Sequence, residues 1–455
     1  MDKDVSKYIR FIAISAALGG LLFGYDTAVI SGAIGNLTVY FTLTSVQTGW
    51  AISSAIVGCI LGALCSDYVS NRFGRKVTLF ITAILFIVNS IGTAIPESFT
   101  IFILFRIVGG VGVGIASMVV PMYIAEIAPP QKRGALVGYY QLAIVLGIVL
   151  VYFVNYFIAL QGDTAWNLQI GWRWMFGSEI IPSILFLFAI YFIPESPRWL
   201  FLKGKNQQAI AVLKKINAEQ DVVQVKNEIE ESLQKEDKNQ WQHIVNPAFR
   251  KVLLVGVALS VLQQLSGINA ILYYAPEIFK NLGSTANVSL LETSILGVVN
   301  LIFTVLAIRL VDKKGRKPLL MMGSVGMTIA LGAVGSFVYF DISNSWVLPF
   351  MLLFMASFSI SWGPVVWVLL AEIFPTKIRS LALAISVFIQ WIANFVVTQV
   401  FPSLVENQAL KEYFNGAFPF YLFSVICLLS LLFVWKRVPE TKNKTLEQMD
   451  KVWQN

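Results

Sequence analysis

Long apolar runs recur along the whole chain, and they constrain its fold more than any other feature. Each run approaches the ~20 residues that an α-helix needs to cross the hydrocarbon core of a bilayer. Because 56% of the 455 residues are hydrophobic and only 13% are charged, the composition excludes an ordinary soluble protein. We predict about twelve membrane spans, at residues 10–31, 46–67, 77–95, 100–124, 135–158, 172–193, 251–274, 290–311, 318–340, 345–370, 380–401 and 415–437.

The basic residues indicate which side of the membrane each connection faces. A net charge of +8 is compatible with a nucleic-acid ligand, but these residues are confined to alternate connections between spans. They are Arg72, Arg75, Lys76, Lys132, Arg133, Lys313, Lys314, Arg316, Lys317, Lys377, Arg379, Lys436 and Arg437. The opposite connections hold only Lys280, Lys411 and Arg173 at a helix edge. By the positive-inside rule, we expect a multi-pass protein of the cell membrane, surrounded by lipid, with both termini cytoplasmic and no nucleic-acid partner.

Three motifs occur twice in the same order, which argues for duplication of a six-helix half. NRFGRK at 71–76 returns as DKKGRK at 312–317, EIAPPQKRG at 126–134 as EIFPTKIRS at 372–380, and PES at 194–196 as PET at 439–441. We predict one bundle at 1–193, a cytoplasmic linker at 194–250, a second bundle at 251–437 and a cytoplasmic tail at 438–455. An amphipathic pattern in the linker predicts short helices there, with Ala209, Ile210, Val212, Leu213 and Ile216 on one face.

The repeated motifs place opposite charges at the cytoplasmic ends of helices. A glycine in each basic turn permits a backbone path that other residues resist. We predict a cytoplasmic charge latch that breaks when the two halves rock apart, built from Arg75, Glu126, Arg133, Glu195, Arg198, Arg316, Glu372, Arg379 and Glu440. The alternative is that these charges serve only topology and solubility.

The stretch VLQQLSGINAILYYAPE at 261–277 carries five polar side chains inside an apolar, helix-length run. A buried amide without a partner costs roughly 1–3 kcal/mol. On one continuous helix of about 3.6 residues per turn, Gln263, Gln264, Asn269 and Tyr273 line one broad sector. We therefore predict a polar cavity along this sector. The alternative is that the amides join neighbouring helices by hydrogen bonds.

Glycine spacing predicts two local features of the bundles. Gly58 and Gly62, and likewise Gly110 and Gly114, have the small-xxx-small spacing of closely packed membrane helices. The sequence Trp362-Gly363-Pro364 favours a kink or break in the tenth span, as in the moving helices of transporters.

Motifs along nearly the whole chain resemble the sugar porter family of the major facilitator superfamily. They are GGLLFGYDTAVISG at 19–32, the paired Gly-Arg turns, PESPR at 194–198, QQLSGIN at 263–269, WGPVVWVLLAEIFP at 362–375 and PETK at 439–442. The motifs most similar to those of the bacterial members that import D-xylose with a proton are FGYDTAVISG at 23–32, GVGIASMVVPMYIAEIAP at 112–129, LYYAPEIFK at 272–280, SWGPV at 361–365 and IQWIANFVV at 389–397. The resemblance implies an all-α membrane protein of the major facilitator fold. Its twelve transmembrane helices would form two pseudo-symmetric six-helix bundles around a central, alternately opening site.

The resemblance also implies a set of sugar-binding residues. A sugar presents hydroxyls around a ring with apolar faces, so a specific site needs amides for its edges and aromatic rings for its faces. The implied edge residues are Gln141, Gln263, Gln264, Asn269, Tyr273, Asn300 and Gln390. Trp367 and Trp391 supply faces, Phe23 lies beside the entrance, and Gly363 lies in the kinked span. Ile148 stands where the D-xylose members carry another site glutamine, which leaves the identity of the sugar open.

Three ionisable residues, Asp26, Arg106 and Glu179, stand out inside predicted spans, where a functional role is the default interpretation. Asp26 lies about 24 Å along its helix from residue 10, and Arg106 about 30 Å from Glu126, at about 1.5 Å per residue, so both reach the outer half of the membrane. The resemblance favours proton coupling, because passive relatives usually carry a neutral residue in place of Asp26. Glu179 is then a relay or pairing partner. A purely structural Asp26–Arg106 pair is the alternative.

Together these features predict a secondary active transporter that imports a monosaccharide, D-xylose first, with a proton by alternating access. A passive uniporter is the alternative, and a sugar receptor that does not transport is less favoured. We expect no enzyme activity, no metal and no cofactor other than the coupling proton, because histidine clusters, metal-ligand spacings and activated nucleophiles are all missing from the sequence. We also expect the chain to function as a monomer.

Overall fold

The computed structural model describes residues 3–129, 132–217, 222–234, 247–342, 346–375 and 378–442. Within these ranges the chain is helical and contains no strand. The same ranges hold twelve helical segments that are long and apolar enough to cross a membrane. The predicted all-α class and the number of spans are therefore confirmed. His243 and Lys377 lie outside the described residues.

The chain forms two compact units. Unit 1 comprises Met1–Asn36 with Ser54–Glu236, and unit 2 comprises Leu37–Ser53 with Asp237–Asn455. The first two helices, α1 (Lys3–Tyr40) and α2 (Ser45–Phe73), therefore contribute to both units.

Unit 1 continues with three long helices and a set of shorter ones. They are α3 (Arg75–Ala94), α4 (Phe99–Ile127), α5 (Arg133–Ala159), α6 (Thr164–Trp166), α7 (Trp172–Gly177), α8 (Ile180–Phe192), α9 (Pro197–Leu202), α10 (Asn206–Ile216) and α11 (Val222–Gln234). Helix α3 packs against α4 on one side and against α7 and α8 on another. This central position of α3 matters for the site described below.

Glycines set the closest helix contacts of unit 1. A Cβ atom at Gly24 of α1 would overlap the carbonyl oxygen of Ile144, and one at Gly147 of α5 would overlap that of Leu21. The predicted glycine pairs of α2 and α4 also lie in close contact, because a Cβ at Gly58 or Gly110 would overlap the opposite backbone. Such contacts let backbones approach closely in a bilayer, where packing rather than water exclusion drives association.

The sixth span is interrupted rather than continuous. A π-helical turn at Asn167–Gly171 lies between α6 and α7, and the helix breaks again between Gly177 and Ile180. The hydroxyl of Ser90 on α3 donates to the carbonyl oxygens of Phe176 (3.0 Å) and Gly177 (3.1 Å). It thereby satisfies backbone groups that a break inside a membrane would otherwise leave unpaired. Glu179 lies in this break.

The short helices after the sixth span are stabilised by local capping and an apolar face. Ser196 accepts a hydrogen bond from the Trp199 amide, and Pro197 occupies the first helical position, where its missing N–H costs nothing. In α10 the buried residues are Ala209, Leu213 and Ile216, which belong to the predicted apolar face.

Unit 2 contains nine further described helices. They are α12 (Pro247–Leu265), α13 (Ile268–Asn281), α14 (Ala286–Lys314), α15 (Arg316–Tyr339), α16 (Val347–Ile360), α17 (Trp362–Ile373), α18 (Arg379–Glu406), α19 (Gln408–Phe414) and α20 (Phe418–Arg437). Helix α15 packs against α16 and α20, α12 packs against α18, and α14 packs against α16.

Two spans of unit 2 break in the middle. The seventh was treated above as one continuous helix, which was wrong, because α12 ends at Leu265 and α13 begins at Ile268. Gly267 adopts the left-handed region with φ 88°, and a Cβ there would lie 2.5 Å from the ring of Phe423. The tenth span breaks at Ser361, directly before the predicted Trp362-Gly363-Pro364 kink.

The segment Leu37–Ser53 is tied to α18 by side-chain hydrogen bonds. Ser53 donates to Gln399 (2.6 Å), whose amide nitrogen donates to the carbonyl oxygen of Val46 (2.9 Å). Ser45 donates to Glu406 near the end of the same helix. These bonds explain why this part of α1 and α2 belongs to unit 2.

The contact between α1 and α5 gives a matched test of packing. We expect Gly147→Ala to destabilise the protein by roughly 1–3 kcal/mol, because its Cβ must displace the α1 backbone. Gly138→Ala on the same helix is the control, since a Cβ there meets nothing within 4 Å. Thermal unfolding in detergent measures the difference, and equal Tm values for the two variants would contradict the packing argument.

Candidate functional site

Asp26 and Arg106 form an ion pair at the centre of unit 1. Arg106 Nη1 on α4 lies 3.1 Å from Asp26 Oδ1 on α1, and it also donates to the Asp26 carbonyl oxygen at 3.3 Å. The two side chains are 1% and 0% exposed. The guanidinium also lies 5.7 Å from the ring centroid of Phe176. An arginine and a carboxylate this deeply buried stabilise each other only as a pair, because either charge alone would be very costly there.

Glu179 belongs to the same buried cluster, but it reaches Asp26 through a third residue. The Asn89 amide nitrogen donates to Asp26 Oδ1 (2.7 Å) and to Glu179 Oε2 (2.9 Å). Both Asn89 and Glu179 are fully buried. Unit 1 thus brings the three ionisable residues identified from the sequence into one cluster.

The sequence interpretation missed Asn89. Its signal was nevertheless present, because Asn89 is the only amide side chain in the apolar run 77–95. A polar side chain inside a membrane span is costly unless it has partners. The same argument that selected the ionisable residues would have selected this one.

Four amide side chains form a connected network in unit 2. Gln263 Nε2 donates to the carbonyl oxygen of Trp362 (2.7 Å) and more weakly to that of Gly363 (3.3 Å). Gln263 Oε1 accepts from Gln390 (2.6 Å) and from Gln264 (3.3 Å). Asn269 in turn donates to Gln264 Oε1 at 2.5 Å. Gln263 is therefore the hub of the network.

The helix breaks create this network. The carbonyl groups of Trp362 and Gly363 lie at the start of α17, directly after the break at Ser361. The break at Ser266 and Gly267 lets Asn269 of α13 reach back to Gln264 at the end of α12. Gly363 takes part through its carbonyl oxygen. Within the described residues, the buried Gln390 Oε1 has no hydrogen-bond partner.

Asn300 and the two tryptophans lie in different surroundings. Asn300 Oδ1 on α14 accepts from Ser359 (2.8 Å) and Thr304 (3.3 Å), so it is paired separately from the four-amide network. Tyr273 is buried, Trp391 is partly buried, and Trp367 is 41% exposed. In unit 1, Gln141 and Phe23 are both partly buried. The binding roles of all these residues stay predictions.

The predicted latch residues of unit 1 form a compact set of bonds. Arg75 binds Glu126 through two parallel hydrogen bonds of 3.0 Å each. The backbone amide of Arg75 donates to Glu195 at 2.9 Å, and that of Lys76 donates to it at 3.2 Å. Bidentate arginine–carboxylate pairs are geometrically specific as well as strong.

Unit 2 repeats this arrangement with equivalent residues. Arg316 binds Glu372 through bonds of 3.0 and 2.7 Å, and the amides of Arg316 and Lys317 each donate to Glu440 at 3.0 Å. Unit 2 adds a bond from the Thr441 hydroxyl to Glu372 and an ion pair between Arg316 and Asp312 at 3.0 Å. Each of these sets of bonds lies within a single unit. That these bonds break when the two halves rock apart stays a prediction.

Both basic turns depend on a glycine. Gly74 and Gly315 have φ values of 102° and 93°, which side chains of L-residues rarely adopt. A Cβ at Gly74 would overlap Glu195, and one at Gly315 would lie 2.7 Å from Glu440 Oε2. The glycine therefore leaves room for the carboxylate that receives the backbone amides.

The two repeated carboxylates differ in their electrostatics. Burial raises the pKa of Glu195 above its usual value, although hydrogen bonds from the amides of Ser196, Lys76 and Arg75 oppose the rise. Burial also acts to raise the pKa of Glu440, but four backbone amides outweigh it and lower that pKa. The same motif thus holds a carboxylate that is easier to protonate in unit 1 than in unit 2.

Three arginines of the predicted latch are placed differently. Among the described residues, Arg133 and Arg198 form no ion pair, and both line a cavity of about 630 Å³ in unit 1 together with Arg75 and Glu126. Arg379 donates to the carbonyl oxygen of Phe374 at 3.2 Å. The bonds that the two units share therefore join one arginine side chain to one glutamate, and the backbone amides of the basic turn to a second glutamate.

Comparison with known proteins agrees with this architecture. The family model described as "Sugar (and other) transporter" matches residues 12–453. The chain is 46% identical to the D-xylose-proton symporter of Escherichia coli K12, across 99% of this chain and 96% of that protein. It is 40% identical to the arabinose-proton symporter of Bacillus subtilis, across 98% and 95% of the two chains.

A solved structure gives the same result for the fold. The inward-open structure of the Escherichia coli xylose transporter matches with a TM-score of 0.88 and 44% identity, covering 98% of this chain and 100% of that one. The fold is therefore the major facilitator fold of membrane transporters, as predicted. The chain belongs to the sugar transporter family.

The difference between Glu195 and Glu440 predicts an unequal response to neutralisation. We expect Glu440→Gln to lower Tm near pH 7.5 by several degrees more than Glu195→Gln, because only Glu440 loses a charge that its surroundings stabilise. Differential scanning fluorimetry in detergent measures both.

The pH dependence fixes the sign of the effect. An unfolded Glu titrates near a pKa of about 4.3. The raised pKa of Glu195 means that the folded state binds its proton first as pH falls, so the wild-type protein gains stability relative to Glu195→Gln as pH falls through that raised pKa. The lowered pKa of Glu440 keeps it ionised there, so its penalty persists until pH falls through the folded pKa. A larger loss of Tm for Glu195→Gln than for Glu440→Gln near pH 7.5 would contradict this assignment.

Proposed function

We propose that this chain is a proton-coupled importer of a monosaccharide, with D-xylose as the first candidate. The observation that carries the proposal is the ion pair between Asp26 and Arg106, which is buried at the centre of unit 1. A protein that only lets sugar diffuse has no need of an ionisable pair in the membrane, where such groups are expensive. Two relatives with 46% and 40% identity are themselves named as sugar–proton symporters.

The pair can couple a proton to a conformational change. Next to Arg106, the Asp26 carboxylate is stabilised as an anion. If α1 and α4 move apart, the carboxylate is left in apolar surroundings and favours taking up a proton. Because protonation and separation support each other, each step of the cycle has a preferred protonation state.

The amide network of unit 2 supplies groups suited to sugar recognition. Gln263, Gln264, Asn269 and Gln390 hold one another in place, and the amides offer donors and acceptors to hydroxyl groups. Gln390 Oε1 is a buried acceptor without a protein partner among the described residues, so a sugar hydroxyl would satisfy it. Because these amides do not titrate, we assign recognition to unit 2 and proton chemistry to unit 1.

Further contacts to the sugar are proposed from the family resemblance. We assign edge contacts to Gln141, Tyr273 and Asn300, and ring contacts to Trp367 and Trp391. Phe23 and Gly363 complete the set. We further propose that the protein resides in the cell membrane with both termini in the cytoplasm, works as a monomer, and uses the two cytoplasmic latches to control opening on that side.

Proton coupling is tested with purified protein in proteoliposomes. We expect wild-type protein to concentrate sugar when a proton gradient is imposed, and sugar addition to alkalinise the outside medium. Asp26→Asn should abolish concentrative uptake while retaining exchange of labelled sugar, because the binding network of unit 2 is intact. An Asp26→Asn variant that still concentrates sugar would falsify the coupling role. Wild-type transport without alkalinisation would instead identify a passive uniporter.

Sugar recognition is tested by tryptophan fluorescence with D-xylose, D-glucose and L-arabinose. We expect D-xylose to bind, and Gln263→Ala to weaken it at least tenfold, because the hub loses hydrogen bonds worth about 1–3 kcal/mol when left unpaired. Gln399→Ala is the matched control, since this α18 amide bonds to Ser53 and Val46 instead. If D-xylose neither binds nor competes with the other sugars, the proposed substrate is wrong, whereas the fold assignment stands.

A further inference from the structure

The cluster of Asp26, Glu179 and Arg106 contains two acids and only one base. All three side chains are almost completely buried. The other titratable groups that face them are Cys59 on α2 and Tyr25 on α1. Thiols and phenols titrate near about 8.5 and 10, so both groups are neutral at physiological pH. If both acids were ionised, the cluster would hold one uncompensated negative charge.

An uncompensated buried charge is far more costly than a proton on one acid. Asp26 Oδ1 receives a hydrogen bond from Arg106 at 3.1 Å. Glu179 receives none from Arg106, and its only side-chain donor among the described residues is Asn89. The geometry therefore places the negative charge on Asp26 and the proton on Glu179 while the Asp26–Arg106 pair is intact.

Asn89 connects the two acids through one atom. Its Nδ2 lies 2.7 Å from Asp26 Oδ1 and 2.9 Å from Glu179 Oε2, and its two hydrogens serve one acid each. An oxygen of a carboxylate and the carbonyl oxygen of a neutral carboxyl group both accept hydrogen bonds. Asn89 can therefore hold both acids whichever of them carries the proton.

The position of Asn89 is fixed by α4, the helix that carries Arg106. A Cβ at Gly109 would lie 2.5 Å from Asn89 Oδ1 and 2.7 Å from Nδ2, so the amide fills the space that this glycine leaves. Within the described residues Asn89 Oδ1 has no hydrogen-bond partner. Leaving the Asn89 oxygen unpaired and buried is costly. This cost is accepted because the Asn89 nitrogen must face the two acids.

From these observations we propose that Asn89 is a positioning residue that joins Asp26 and Glu179 into one proton-holding unit, so that a single proton is shared between two acids. While Arg106 pairs with Asp26, the proton is on Glu179. When that pair separates, Asp26 accepts the proton that Glu179 gives up, so the cluster still holds one carboxylate and Arg106, and Asn89 keeps both carboxyl groups in position. The proposal rests on the proposed function, because it describes how the coupling proton is held.

The test compares Asn89→Ala with Asn155→Ala in proteoliposomes. Asn155 on α5 is an equally buried asparagine that donates to the carbonyl oxygen of Val29 on α1 but contacts neither acid. The measurement is the pH dependence of concentrative sugar uptake, together with sugar-induced alkalinisation. We expect the midpoint for Asn89→Ala to move about one pH unit upwards, which is the scale of one lost hydrogen bond to a charged group. Asn155→Ala should keep the wild-type midpoint.

A second pair of variants separates positioning from folding. Asn89→Ser keeps one hydroxyl donor, so we expect a smaller shift in the same direction. In a Glu179→Gln background, which cannot share the proton, Asn89→Ala should shift the midpoint by less than it does in the wild-type background, because only the hydrogen bond to Asp26 is then lost. An independent, additive shift in that background would overturn the link between Asn89 and Glu179.

The remaining outcomes also decide between the proposals. If wild-type protein is coupled and Asn89→Ala has the same midpoint as Asn155→Ala, the role of Asn89 is wrong and the proposed function stands. If wild-type protein shows no sugar-induced alkalinisation, both are wrong. If neither Asn89 variant folds while Asn155→Ala does, Asn89 serves stability and its proton role is overturned.

Discussion

The scarcity of hydrogen-bond partners in a bilayer is the constraint on which this structure depends. In a hydrocarbon core, each polar group must find its partner within the protein or incur a cost of several kcal/mol. The chain meets this demand locally. Ser90 serves the carbonyls freed by the break in the sixth span, and Gln263 donates to the carbonyl oxygens of Trp362 and Gly363, which directly follow the break in the tenth. Irregular backbone therefore occurs where a neighbouring side chain is already placed to satisfy it.

The duplicated motifs form the same set of arginine, glutamate and backbone-amide hydrogen bonds in both units, with one difference. Arg75 and Arg316 each donate two hydrogen bonds to one glutamate. Glu195 and Glu440 each accept hydrogen bonds from the backbone amides of a glycine turn. What differs is the surroundings of the second glutamate. Burial dominates at Glu195, whereas four amides dominate at Glu440, so one sequence motif yields two carboxylates of opposite pKa shift.

Much of the fold could be predicted because its determinants are local in the sequence. Apolar runs defined the twelve spans, and the spacing of Gly58, Gly62, Gly110 and Gly114 indicated the close contact of α2 with α4. The break at Gly267 was missed because an isolated glycine in an apolar run is compatible with a continuous helix. Its need for a positive φ and its contact with Phe423 arise only from packing in three dimensions.

The sequence predicted most of the residues that belong to the candidate site, but it did not predict which hydrogen bonds and ion pairs join them. The sequence identified Asp26, Arg106 and Glu179 by their cost in a membrane, and Gln263, Gln264 and Asn269 by their position in an apolar run, whereas Gln390 was implied by the family resemblance. It could not show that Gln263 is the hub, because Gln390 lies on a helix remote in sequence. Nor could it show that Arg133 and Arg198 line a cavity without forming an ion pair in the described part of the chain.

The proposed separation of proton chemistry in unit 1 from sugar recognition in unit 2 follows from the same physics. A sugar is neutral, and amides bind its hydroxyls equally well at any pH between about 5 and 8, because amides do not titrate in that range. Placing the titrating acids in the sugar network would make affinity depend on pH and would leave a charge beside a neutral ligand. In unit 1 those acids instead have Arg106 and Asn89 as partners, and in unit 2 the amides have one another. Protonation can then act on helix positions, through the α1–α4 ion pair, rather than on the sugar contacts themselves.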